Sequence, residues 1–278
     1  MANIGATTAF YKVETSLTRA NNEVSKSMER LATGKANANA GDRSSYVAMA
    51  DTFRLDYVGT KAGIKGASVV LGYLETGMRV LESASGLIAR IQELAVLGAN
   101  DTNTSADNSA IDAEATALGK ELHRLLESAT YKGKDIFADA SAGQMVVSLG
   151  GRGAEMSFGL ADLQQKASYS AVASAGGLAV TPSGASTSDQ LTALLETLQE
   201  DVNTARVEAG SQYAALESGI AYTTDLTAQY ELGYNTVNDV NFSMETAHLA
   251  KNQILQQAAT AMLAQANQGQ QGLLQLIS

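Results

Sequence analysis

Val13, Leu17, Ala20, Val24, Met28 and Leu31 recur at spacings of 4, 3, 4, 4 and 3, with polar residues between them. That rhythm returns apolar side chains to one face on every turn and predicts an amphipathic helix. It stops at TGKANANAGD, where two glycines and an Asn/Ala alternation mark a break. A second run, Val80, Ala84, Leu87, Ile91, Leu94 and Gly98, predicts a helix over about 45–98. GANDTNTSADNS then supplies turn chemistry, and a third helix is predicted over about 107–129. The clearest run holds Leu191, Leu195, Leu198, Val202, Ala205 and Ala209 and continues to Val237. A helix over about 188–235 is long enough to call for coiled-coil packing. The last run holds Met244, Ala247, Ile254, Ala258, Met262 and Ala266, then Leu273, Leu274, Leu276 and Ile277.

Between the third and fourth helices the period changes to two. DIFADA, QMVVSLG and AEMSFGLADL read as short strands over about 134–165, with GGRG as a turn. Residues 167–187 are small and turn-forming, and predict a loop. The fold class that follows is mainly α. It is a long antiparallel helical bundle or coiled coil with a small β-hairpin insert, its terminal helices paired as a separate coiled coil. The two termini are expected to meet at one end, with the insert at the other.

Composition sharpens this picture. The chain has 278 residues, no cysteine, no tryptophan and one proline, Pro182. Disulfides and thiolate metal sites are therefore excluded, and little interrupts a long helix. The net charge of −10 is uneven: residues 1–40 carry +2, residues 41–239 carry −12, and residues 240–278 hold only Glu245 and Lys251. An acidic middle argues against nucleic-acid binding, which wants a basic stripe. No stretch is long and apolar enough for membrane insertion. The first residues lack the basic-then-apolar layout of a cleaved signal peptide.

Candidate chemistry is sparse. The two histidines, His123 and His248, are far apart and neither has a metal-ligand partner at helical spacing. SLGGRG lacks the Lys-Ser/Thr of a phosphate-binding loop and reads as a hairpin turn. No catalytic residue, metal site or cofactor is expected.

Four stretches carry a resemblance. SMERLATGKANANAGDRSSYVAMADTFR (27–54), IARIQELAVLGANDTNT (88–104) and TYKGKDIF (130–137) resemble the N-terminal signatures of bacterial flagellin. NDVNFSMETAHLAKNQILQQAATAMLAQANQGQQGLLQLIS (238–278) resembles the C-terminal one, and QILQQA…LAQANQ is its most specific part. Gln92 stands where the family usually has arginine.

The resemblance implies a minimal flagellin with D0 and D1 domains only. Residues 1–40 would be the N-terminal D0 helix, 41–235 the D1 rod domain and 236–278 the C-terminal D0 helix. The chain would be the structural subunit of the flagellar filament, a homopolymer that drives swimming, and not an enzyme. Val13, Leu17, Val24, Met28, Leu31, Ile254, Ala258, Met262, Leu273 and Leu276 would serve polymerisation or line the lumen. Arg90, Glu93, Leu94 and Glu114 match a face that in the family meets an innate immune receptor or a neighbouring subunit. An export chaperone, hook-junction proteins and a cap protein are implied as partners, with the product outside the cell and exported without a cleaved signal peptide. The alternatives are a hook–filament junction protein, with the same terminal helices, and a non-flagellar secreted coiled-coil adhesin.

Overall fold

A computed structural model describes residues 3–39, 41–137, 145–150, 154–173 and 185–277. The elements in order are α1 (Asn3–Thr33), α2 (Ser44–Gly98), α3 (Ser105–Glu127), β1 (Thr130–Tyr131), β2 (Lys134–Asp135), β3 (Met145–Ser148), β4 (Glu155–Phe158), α4 (Ala167–Val172), α5 (Ala185–Asn238) and α6 (Phe242–Ile277). The fold is mainly α with small antiparallel hairpins inserted, as the periodicity predicts. It divides into two compact units: Val58–Thr227, and Met1–Tyr57 together with Ala228–Ser278.

The first of these units holds the hydrophobic core. Leu74, Leu81, Ile88, Ile91 and Leu94 of α2 meet Leu122 and Leu126 of α3 and Leu195, Leu198 and Val202 of α5, all nearly inaccessible. Helices α2 and α5 run antiparallel. Gln199 Nε2 donates to Ser85 Oγ at 2.9 Å, and Thr227 Oγ1 donates to Thr60 Oγ1 at 2.8 Å. Helix α3 starts on a capping box, in which Thr104 Oγ1 accepts from the Asp107 N–H and the Asp107 carboxylate accepts from the Thr104 N–H at 2.9 Å.

The hairpins close over one side of this bundle. Strands β1 and β2 are joined by Lys132 and Gly133, with φ of 53° and 78°, the left-handed pair that a two-residue hairpin turn requires. In DIFADA, the strand ends at Asp135. Ile136 and Phe137 instead turn into the core, and 138–140 lie outside the described residues. Strands β3 and β4 pair Met145 with Phe158 through Ser148 with Glu155; the GGRG residues 151–153 lie outside the described residues. Gln212 of α5 clips the chain after β4, its amide both accepting from the Gly159 N–H and donating to the Gly159 carbonyl at 2.9 Å. Residues 167–172, inside the run expected to be a loop, form α4. Its Tyr169 and Val172 are buried in the core.

Gly63 of α2 sets how closely the β3–β4 hairpin approaches. A Cβ there would lie 2.3 Å from the backbone carbonyl of Leu149. Gly63→Ala is expected to destabilise this unit by about 1–3 kcal/mol, because overpacking against backbone outweighs the gain of roughly 1 kcal/mol in helix propensity. Urea denaturation measures it, and an unchanged or raised midpoint would show that the hairpin moves aside freely.

The other unit is built differently. Among its described residues the buried apolar side chains are three alanines, Ala20, Ala50 and Ala259. Helices α1 and α6 pack antiparallel: Gln256 Nε2 donates to Asn21 Oδ1 at 2.6 Å, while Arg30 Nη1 lies 3.9 Å from Glu245 Oε2. Gly34, at φ 70°, ends α1 in the left-handed conformation that glycine adopts without steric cost, and its N–H donates to the Arg30 carbonyl. The break predicted at TGKANANAGD then pairs with the connection between α5 and α6. The Ala36 N–H donates to Asn238 O at 2.6 Å, the Val240 N–H to Gly34 O at 3.2 Å and Asn37 Nδ2 to Val237 O at 3.2 Å, forming an antiparallel bridge between Lys35 and Asp239. Asn241 opens α6, its Oδ1 accepting from the Met244 N–H at 3.1 Å.

Candidate assembly surface

A helix pair that buries only alanines is stabilised little by its own packing, since the apolar area removed from water sets the gain. Many large apolar residues of this unit point outward. Tyr11, Met28, Tyr46, Met49, Leu55, Leu232, Phe242, Met244, Ile254, Leu255 and Met262 are all exposed, eleven of the eighteen such residues among those described. Monomeric proteins rarely leave apolar surface so concentrated.

On α6 the exposed set forms a face. The residues turned toward α1 are Leu249, Asn252, Gln256, Ala259, Leu263 and Ala266, at spacings of 3, 4, 3, 4 and 3. Alongside runs an uncovered strip of Met244, Ala247, Ile254, Leu255, Ala258 and Met262, all exposed. Ile254 is 65% exposed and Met262 51%. The two strips share the same helical period, displaced by about one residue. The Glu245 carboxylate leans toward Arg30, so Lys251 is the one charged residue on the uncovered strip.

The structure thus sorts the residues singled out from the sequence. Val13, Leu17, Val24 and Leu31 are half-buried on the side of α1 that carries buried Ala20 and Ser27, whereas Met28 is 55% exposed. Ile254, Ala258 and Met262 lie on the uncovered strip of α6. Leu273 and Leu276 fall in the last turns of α6, where side chains lie outside the described residues.

Arg90, Glu93 and Glu114 form a surface triad in the other unit. Arg90 Nη1 donates to Glu93 at 2.6 Å, and its Nε and Nη2 donate to Glu114 Oε1 at 3.0 and 2.7 Å. These bonds, Glu114 first and then Glu93, raise the guanidinium pKa above its ordinary value. Leu94 does not share that surface: it is 2% exposed, inside the core. Gln92 borders an open groove of about 960 Å³ between α2 and α5, lined also by Ile88, Leu195, Val207 and three glutamates.

One cluster superficially resembles a catalytic set, and no motif marks it because His123 and Tyr169 are 46 residues apart. His123 Nδ1 lies 2.7 Å from Tyr169 Oη, and its Nε2 lies 3.6 Å from Glu127. Burial, then Glu127 and Asp162, push the Tyr169 hydroxyl up to about 12, so it stays protonated near neutrality and is no nucleophile. Its role is to satisfy a buried hydroxyl and hold α4 against α3. His248 is exposed on α6.

Comparison with known proteins agrees with this construction. Residues 5–142 match the bacterial flagellin N-terminal helical region, and residues 192–277 match the bacterial flagellin C-terminal helical region. The chain is 27% identical over 271 residues to the flagellar filament 33 kDa core protein of Treponema phagedenis, covering 92% of this chain and 93% of that one. It is 27% identical over 272 residues to a flagellin of Listeria monocytogenes, covering 94% of each. The crystal structure of Bacillus cereus flagellin superposes with a TM-score of 0.50 at 20% identity, over 57% of this chain and 88% of that one, a likeness of fold. A mostly helical chain with an alanine-lined terminal pair, an outward apolar strip and both terminal signatures belongs to the bacterial flagellin family, and its function is that of a structural subunit of the flagellar filament.

Proposed function

We propose that the uncovered strip of α6 is the main polymerisation surface. It supports this reading that Met244, Ile254, Leu255 and Met262 stand in water in the single chain. Each is about half to two-thirds exposed, so covering it gains roughly that share of the 1.5–3 kcal/mol of full burial, a favourable contribution repeated at every subunit contact. Val13, Leu17, Val24 and Leu31 hold α1 to α6, while Met28, Ile254, Ala258 and Met262 meet neighbouring subunits around the lumen. Leu273 and Leu276 extend the same surface. A contact of one patch with a different patch on the next copy does not close on itself and grows a helical tube. Near-neutral charge on this strip suits the crowding of many copies around one axis.

In this reading residues 1–40 and 236–278 are the D0 pair and 41–235 the D1 domain. The Arg90–Glu93–Glu114 triad meets a neighbouring subunit, and Leu94 supports it from within. The filament lies outside the cell, and an export chaperone, hook-junction proteins and a cap protein attend its assembly.

Removal of residues 250–278 is expected to leave a folded, soluble chain that forms no filaments on seeds. Sedimentation and electron microscopy read the outcome, and tubes formed by the truncated chain would overturn the assignment.

A further inference from the structure

Leucine or isoleucine would serve throughout this strip, as at Ile254 and Leu255, but two of its four large residues, Met244 and Met262, are methionine. Apart from Met1, every methionine of the terminal unit is exposed: Met28 55%, Met49 49%, Met244 60% and Met262 51%. The other three, Met78, Met145 and Met156, are half-buried and packed against the core. Met28 sits two residues before Arg30 and Met244 one before Glu245, so the ion pair between those residues brings both thioethers to one level of the α1–α6 pair. What separates methionine from leucine is its sulfur, which soft oxidants attack.

We propose that Met28, Met49, Met244 and Met262 form an oxidant-sensitive modification site that governs incorporation of the subunit. Hydrogen peroxide or hypochlorous acid is the co-substrate. With hydrogen peroxide the thioether lone pair attacks one oxygen, the O–O bond breaks, and the departing hydroxide takes up the proton of the attacked oxygen to leave as water. With hypochlorous acid it attacks chlorine and expels hydroxide; water then displaces chloride from the chlorosulfonium and loses its protons to leave the S=O group. Sulfur is oxidised by two electrons, and the oxidant is reduced to water or chloride. In the free subunit these sulfurs are open to solvent and need no catalyst. At Met244 and Met262 the product is a polar acceptor on the strip that assembly must dry, and at Met28 and Met49 it is one on the exposed surface of the same unit. Burying it without a donor opposes incorporation. Once a subunit is incorporated its neighbours cover the sulfurs, so the free pool is sensitive and the finished polymer is protected. This rests on the reading of the α6 strip as the polymerisation surface.

The test uses the full-length chain. Free subunits are treated with hydrogen peroxide, quenched with catalase and added to filament seeds; peptide mass spectrometry reports sulfoxide at each methionine and sedimentation follows elongation. Sulfoxide is expected at the four exposed positions before Met78, Met145 and Met156. Elongation is expected to fall by at least about tenfold, and methionine sulfoxide reductase to restore it. Filaments given the same peroxide are expected to keep the four as thioethers. Subunits fully oxidised at all four that elongate at the untreated rate would overturn the proposal, as would loss that persists after the reductase has removed the sulfoxide. In M28L/M49L/M244L/M262L, each treated sample is compared with its own untreated control. Elongation unaltered by peroxide is expected, and a comparable loss there would place the damage elsewhere and overturn the proposal. Untreated wild-type subunits that do not elongate at all would refute the polymerisation reading before any oxidant is added, and this proposal with it.

Discussion

Ile254→Asp is expected to stop elongation on seeds while leaving the thermal transition of the α2–α3–α5 core where it was. Ile254 is 65% exposed in the single chain, so a carboxylate there stays hydrated and costs the free subunit little. In the polymer that carboxylate loses its water beside a strip whose one charged residue is Lys251. Lys251, three residues earlier, can pair with it. Drying that pair still opposes burial, and a loss of roughly tenfold or more in affinity for the growing end is expected. Ile254→Leu, which keeps volume and polarity, serves as the comparison. Elongation of Ile254→Asp at the wild-type rate would show that this strip faces solvent in the polymer.

Leu94→Ala is expected to act oppositely, lowering stability without touching the α6 strip. The side chain is 2% exposed and packed in the main core, so its loss removes transfer energy and leaves a cavity, about 2–5 kcal/mol in all. Arg90→Ala, about one turn away on the same helix and half-exposed, is expected to shift the urea midpoint much less. Stability of Leu94→Ala indistinguishable from wild type would mean that the core collapses around the gap.

These contrasts mark what periodicity can tell. The long helices were legible because apolar residues three and four apart have no other economical arrangement, and Leu191 through Ala209 keep that rhythm without a break. Helix α4 was not, since its six residues offer too short a window, and it is held by side chains distant in sequence: Ser168 donates to Asp201 at 2.9 Å and Tyr169 meets His123. The strip Met244–Ile254–Ala258–Met262 is legible as apolar. Which side α1 would cover was not readable, because the covered strip includes Asn252 and Gln256 and so looks the more polar of the two. Backbone proximity between two small-residue helices, set by Ala20 and Ala259, decides that choice. Leu94 shows the same limit: its neighbours Arg90 and Glu93 are surface residues, and only packing separates it from them.

The bridge between Lys35 and Asp239 has a mechanical consequence. It ties the segment leaving α1 to the segment entering α6 through two backbone hydrogen bonds, with the Asn37 amide as a third. A pull along either terminal helix therefore loads these bonds in shear, sharing the force among them, instead of peeling them one after another. In a propeller that transmits torque, the two connections yield together or not at all, and the antiparallel helices they serve carry tension as a single strut.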